Sequence, residues 1–143
     1  MWRGLSFLTG LLFVPVFVLN VYSLTDPWLV ITWLAVATID PWIEEGYWRG
    51  LLIDVAAQQW PPWLAIGYST VCFGLSHPLL LGVSVHALAG VSAFVGTLFT
   101  GSIWAIVYWK TRSLRWPVAS HAVVDLLNVS VLVFLNRAVI PGQ

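Results

Sequence analysis

Apolar residues in this chain gather into stretches of about 18–20, the length at which an α-helix crosses roughly 30 Å of hydrocarbon. The first covers Leu5 to Leu24, between Arg3 and Asp26-Pro27; it is too long, and too poor in small residues at its end, to read as a signal peptide. A second begins near Trp28 and meets Asp40-Pro41, where the proline is expected to kink or end the helix. A helix from Trp42 to Gln59 follows, carries most of the internal charge and stops at Trp60-Pro61-Pro62. Further spans run from Trp63 to Leu81, Val85 to Tyr108 and Trp116 to Leu135. Trp28, Trp60, Trp63, Trp109 and Trp116 stand at span ends, where amphipathic rings suit the headgroup region.

The pattern predicts an all-α fold: a polytopic transmembrane helical bundle with about five or six membrane helices, forming one domain over residues 1–143. Arg3 before the first span and Lys110, Arg112 and Arg115 before the last set the expected orientation. Both groups belong on the cytoplasmic side, with the N-terminus inside. Five crossings satisfy this if the 42–59 helix does not itself cross completely. A multi-pass protein of a prokaryotic plasma membrane is the expected setting.

Composition supports this pattern. Hydrophobic residues make up 59% of the chain and charged residues 8%, where a soluble domain has about 25% charged residues and could not otherwise cover its surface. The net charge of zero leaves no basic footprint for nucleic acid. One cysteine, Cys72, excludes an internal disulfide framework.

Ionisable residues inside apolar sequence cost at least about 2.5–3.5 kcal/mol each at the bilayer centre unless paired or hydrated, so they mark candidate chemistry. Three groups stand out. In Glu44-Glu45-Gly46-Tyr47-Trp48-Arg49, Glu45 and Arg49 are spaced i and i+4 for a helical ion pair, while Glu44 points about 100° away and stays free. A salt-bridged interfacial turn would explain this group equally well. In Phe73-Gly74-Leu75-Ser76-His77, followed by Pro78, Phe73 and His77 share a face; a packing histidine is the plainer reading. In His121-Ala122-Val123-Val124-Asp125, histidine and carboxylate again share a face, with Asn128 a turn further on. A carboxylate beside an imidazole holds its tautomer, although a polar clamp between helices would use the same pair.

Together the groups supply what amide hydrolysis needs: a base for water, a donor for the oxyanion and an acid for the leaving amine. Glu44 suits the base, since apolar surroundings make a carboxylate more basic. His77 could share that work, and His121 could donate to the oxyanion. Ser76 and Ser120 precede histidines but, as adjacent helical residues, are not expected to face them; Gly-x-Ser-x-Gly and His-Glu-x-x-His are both absent. His86 and Asp54 match none of the three groups.

Glu-Glu-x-x-x-Arg, Phe-x-x-x-His and His-x-x-x-Asn/Asp, in that order, resemble the CPBP family of glutamic intramembrane endopeptidases, which includes CAAX prenyl-protein endopeptidases and bacteriocin-processing and self-immunity (Abi-type) proteins. The similarity covers about Pro41 to Asn128, the expected catalytic core of about 41–128, and takes in Thr100-Gly101-Ser102 and the Thr111 to Pro117 turn. The resemblance implies that Glu44 and His77 activate water, that His121 and Asp125 form the oxyanion site, and that Glu45, Arg49 and Phe73 support them. It implies no cofactor and no metal, and a membrane-associated peptide or protein as substrate. The CAAX endopeptidases are similar here but carry Asn at the position of Asp125; an ionised aspartate cannot donate to an oxyanion, so Asp125 orients His121 or stays protonated. The short chain suggests a near-minimal core, or one completed by a partner subunit or a homo-oligomer. Two other readings stay open: a metal-dependent membrane enzyme or metal transporter using Glu44, His77, His121 and Asp125 as ligands, and a non-catalytic immunity or peptide-binding membrane protein.

Overall fold

In the computed structural model the described residues are 2–81, 87–129 and 131–132, with side chains described for all of these except residues 3, 80, 81 and 87–93. Among them the chain is helical throughout, with no strand: α1 (Trp2–Leu11), α2 (Val14–Asn20), a 3-10 turn (Val21–Ser23), α3 (Pro27–Glu45), a π-helix (Gly46–Ile53), α4 (Asp54–Ala56), α5 (Pro62–Leu81), α6 (Ala87–Thr111) and α7 (Arg115–Asn128). The expected start of the fourth span at Val85, His86 and the end of the last span at Leu135 lie outside the described residues.

Prolines account for most of the differences from the expected boundaries. Pro15, with no amide hydrogen to give and a ring that would press on the preceding turn, divides the first apolar stretch into α1 and α2. The junction is closed by Leu12 N donating to Thr9 O (3.3 Å) and Phe13 N to Gly10 O (3.0 Å). Pro41 does not end its helix. It is buried inside α3, which continues through it to Glu45; packing of α3 against α7 outweighs the lost amide bond. The helix starting at Trp42 therefore does not exist as a separate element. The backbone widens to a π-helix at Gly46 instead, a departure frequent at functional sites. Asp26 caps α3 by accepting from Trp28 N (2.8 Å), with Pro27 in the first turn.

Near the end of the described residues α7 stops at Asn128, and Val129 takes a left-handed conformation (φ 52°), an outlier for a β-branched residue, with its amide donating to Asp125 O; residues 131–132 are helical again.

α7 packs against α1, α2, α3 and α6, α5 pairs with α6, and the π-helix bridges α3 and α5. Ionisable side chains share the interior with apolar clusters. Glu45, Arg49, His121 and Asp125 are buried, whereas Leu8, Leu11, Val18, Ile31, Ile39, Leu51, Val71 and Phe99 are exposed. One fully described helical stretch, Gly4–Ser23, has the length and apolarity to cross a bilayer, fewer than the number expected from the sequence. Gly10 leaves room for a side chain of α7: a Cβ there would lie 2.7 Å from Val123 Cγ1.

Candidate active site

Glu44 and Glu45 are the last two residues of α3, and Arg49 is one turn on, in the π-helix. The expected pair forms: Arg49 Nη1 lies 3.0 Å from Glu45 Oε1, and both side chains are fully buried. Arg49 also donates through Nη2 to Gly101 O of α6 (3.3 Å) and sits over the Phe73 ring, 4.1 Å from its centroid. Glycine is needed at this crossing, because a Cβ at position 101 would be 2.7 Å from Phe73 Cδ1 and 3.1 Å from Arg49 Nη2. The π-helix leaves the Trp48 carbonyl open to an outside partner, and Ser69 of α5 donates to it (2.6 Å).

His121, on α7, enters the angle between the two glutamates. Its Nδ1 is 2.8 Å from Glu45 Oε1, and its Nε2 is 3.8 Å from Glu44 Oε2 and 3.7 Å from Asp125 Oδ1. The orienting carboxylate of His121 is therefore Glu45, 76 residues away in sequence, not its helical neighbour Asp125. Glu45 thus holds a guanidinium and an imidazole at once, and it was expected to serve only the first. The adjacent residues of α3 diverge by about 100°, so their carboxylates take opposite nitrogens of one ring. With Nδ1 as donor to Glu45, Nε2 is the nitrogen presented to Glu44 and Asp125.

His77, on α5, uses the same atom differently. Its Nδ1 donates to Phe73 O (2.9 Å), which makes Nε2 the acceptor nitrogen of the neutral ring. Ser76 Oγ comes within 3.4 Å of that Nδ1, closer than adjacent helical residues were expected to approach, but its hydroxyl donates to Phe73 O as well (2.8 Å). No nucleophile-to-base bond is formed. Phe73 stands between the two histidines, its centroid 4.6 Å from His77 and 6.1 Å from His121.

All seven residues singled out in the sequence, Glu44, Glu45, Arg49, Phe73, His77, His121 and Asp125, thus belong to one contiguous cluster drawn from α3, the π-helix, α5 and α7. Several of its atoms, Glu44 Oε2, Glu45 Oε2 and Asp125 Oδ2, are buried without a hydrogen-bond partner among the described residues. Buried polar atoms of this kind need water or a ligand. Among the described residues no group of three or more His, Cys, Asp or Glu side chains is arranged to hold a metal ion.

Sequence reading missed two neighbours of this cluster. Asp40 lies one turn before Glu44 and electrostatically faces Glu44, Asp125 and His77; with Ala35, Val36, Ile39 and Ile43 it lines an open cavity of about 360 Å³. The i, i+4 spacing from Asp40 to Glu44 was visible, but a helix break at Pro41 hid it. Trp104, on α6, stacks on His121 with centroids 4.3 Å apart and ring planes 22° apart. Its only signal was an indole N–H in an apolar helix, which needs a buried acceptor.

No curated protein and no solved structure matches the chain at a significant level. A family model described as "Type II CAAX prenyl endopeptidase Rce1-like" matches residues 26–127, the segment that contains the whole cluster. The match covers well over half of the sequence, and the chain accordingly belongs to the Rce1-like family of type II CAAX prenyl endopeptidases.

Proposed function

We propose that the protein is a multi-pass intramembrane endopeptidase of the glutamic type, hydrolysing a peptide bond of a membrane-associated protein or peptide. The observation that carries this reading is the approach of Glu44 and Glu45 to opposite nitrogens of His121, 3.8 and 2.8 Å away, in a buried cluster with His77 beside it across Phe73. Buried ionisable groups together with many exposed large apolar side chains support several crossings of a bilayer over a soluble bundle.

In this mechanism water is held between Glu44 and the acceptor Nε2 of His77. Glu44 takes a proton as the water oxygen bonds to the substrate carbonyl carbon, a general-base step. Negative charge then develops on the carbonyl oxygen. His121, protonated on both ring nitrogens with Nδ1–H on Glu45, offers Nε2–H to it, and Asp125 contributes in its protonated form. When the C–N bond breaks, the proton held by Glu44 passes to the leaving amine, and a carboxylic acid and an amine leave the site with Glu44 again a carboxylate. Arg49 pairs with Glu45 and holds its carboxylate in place, so that pair builds the site without entering the reaction.

Family membership favours a C-terminal prenylated peptide as substrate, and this narrower assignment belongs to the same proposal. The test is peptide cleavage by the purified protein in vesicles, with Glu44→Gln as control.

A further inference from the structure

α1 precedes the family-matched segment, which begins at residue 26, yet its polar residues reach the candidate site. Ser6 and Thr9 are buried in α1 and Ser120 is buried in α7, one residue before His121. Ser120 Oγ donates to Ser6 O, Thr9 Oγ1 donates to the same carbonyl (2.6 Å), and the two hydroxyl oxygens are 3.2 Å apart. Ser120 Oγ in turn accepts from Trp104 Nε1 at 2.9 Å. Trp104 is the ring stacked on His121, and it also meets Phe73 edge-on at 6.2 Å and the Arg49 guanidinium, 5.6 Å from its centroid. Every polar atom of this chain of contacts meets another in an apolar interior, where leaving one unmade is costly. The Gly10–Val123 approach presses α1 and α7 together beside it.

We infer that Thr9, Ser120 and Trp104 are positioning residues for His121, so that α1 fixes the plane of the imidazole whose nitrogens meet Glu45 and Glu44. Glu45 sets the ring's direction through one bond at Nδ1, but one bond leaves rotation about its own axis; the indole face removes that freedom. Ser120 sets the angle of the indole, and the α1 carbonyl with Thr9 sets Ser120.

The chain has three histidines, so histidine-selective isotope labelling in detergent gives three ring signals, assigned by replacing each in turn. An indole face shields protons above it, and the His121 ring proton therefore resonates upfield of the others. Thr9→Val and Ser120→Ala should move the His121 signal and leave that of His77 in place, while Thr9→Ser, which keeps the hydroxyl, should restore it. On the proposed endopeptidase reading, the kinetic counterpart is a fall of about ten- to a hundredfold in kcat with KM unchanged, measured on a quenched fluorogenic peptide ending in an S-farnesylated CAAX sequence. If the His121 signal stays put in folded Thr9→Val and Ser120→Ala, or if Thr9→Ser shifts it as far as Thr9→Val, the positioning role is wrong. The spectrum decides this even if the wild-type protein cleaves no peptide, an outcome that would instead remove the proteolytic reading.

Discussion

His121 Nδ1 lies 2.8 Å from Glu45 Oε1, joining α7 to the end of α3 across 76 residues of sequence. The same carboxylate oxygen is 3.0 Å from Arg49 Nη1. Glu45 therefore carries two jobs, neutralising a fully buried guanidinium and aiming an imidazole, and the two can be separated by mutation.

Glu45→Gln keeps an oxygen for His121 Nδ1 but leaves Arg49 as a buried cation without a counter-ion. Breaking a buried pair on one side costs about 3–5 kcal/mol. Thermal unfolding in detergent, followed by tryptophan fluorescence, should show a clearly lowered midpoint for Glu45→Gln and for Arg49→Ala. Unchanged melting of both variants would mean that the ion pair does not hold these helices together.

Gly101→Ala tests the crossing of α6 over Phe73 and Arg49. The added methyl would meet a ring carbon at 2.7 Å, an overpacking worth about 1–3 kcal/mol. Because Phe73 separates His77 from His121, turnover should fall together with the melting midpoint. A variant that melts and turns over normally would show that the ring has room to move.

Asp125→Asn brings the chain closer to the family pattern and distinguishes two chemistries. Where Asp125 serves an oxyanion, the amide supplies a donor and activity should be kept or raised. Where it is a metal ligand, losing its charge should lower bound metal. Elemental analysis of the purified protein and turnover after prolonged chelation complete the comparison; the glutamic mechanism predicts activity that survives chelation. Activity lost on chelation, restored by added metal and weakened by Asp125→Asn would replace it with a metalloenzyme.

The chemistry of this site was more legible than its frame. Glu44, Glu45, Arg49, Phe73, His77, His121 and Asp125 could be named because each is expensive in apolar sequence or repeats at i, i+4, and that spacing survives in the structure. The partner of His121 could not be read, because Glu45 is remote in sequence and only the packing of α3 on α7 brings it near. Proline was misread twice, as a break at Pro41 and as no break at Pro15, since its local cost is fixed while the packing that offsets it is not. The first error also hid Asp40. A π-helix has no distinct residue pattern, and Trp104 looked like one apolar residue among many.

The central claim is that Glu44 is the base for peptide hydrolysis with His77 as its partner. The most direct measurement incubates the purified protein, reconstituted in vesicles, with membrane-anchored peptides and C-terminally farnesylated CAAX peptides, and identifies the products by mass spectrometry. The wild-type protein should cut at a defined bond, while Glu44→Gln and His77→Ala, folded by the tryptophan criterion, should lose at least about 10²–10⁴ in rate. Cleavage by either variant at near wild-type rate, or no cleavage of any peptide by the wild-type protein, would contradict the account.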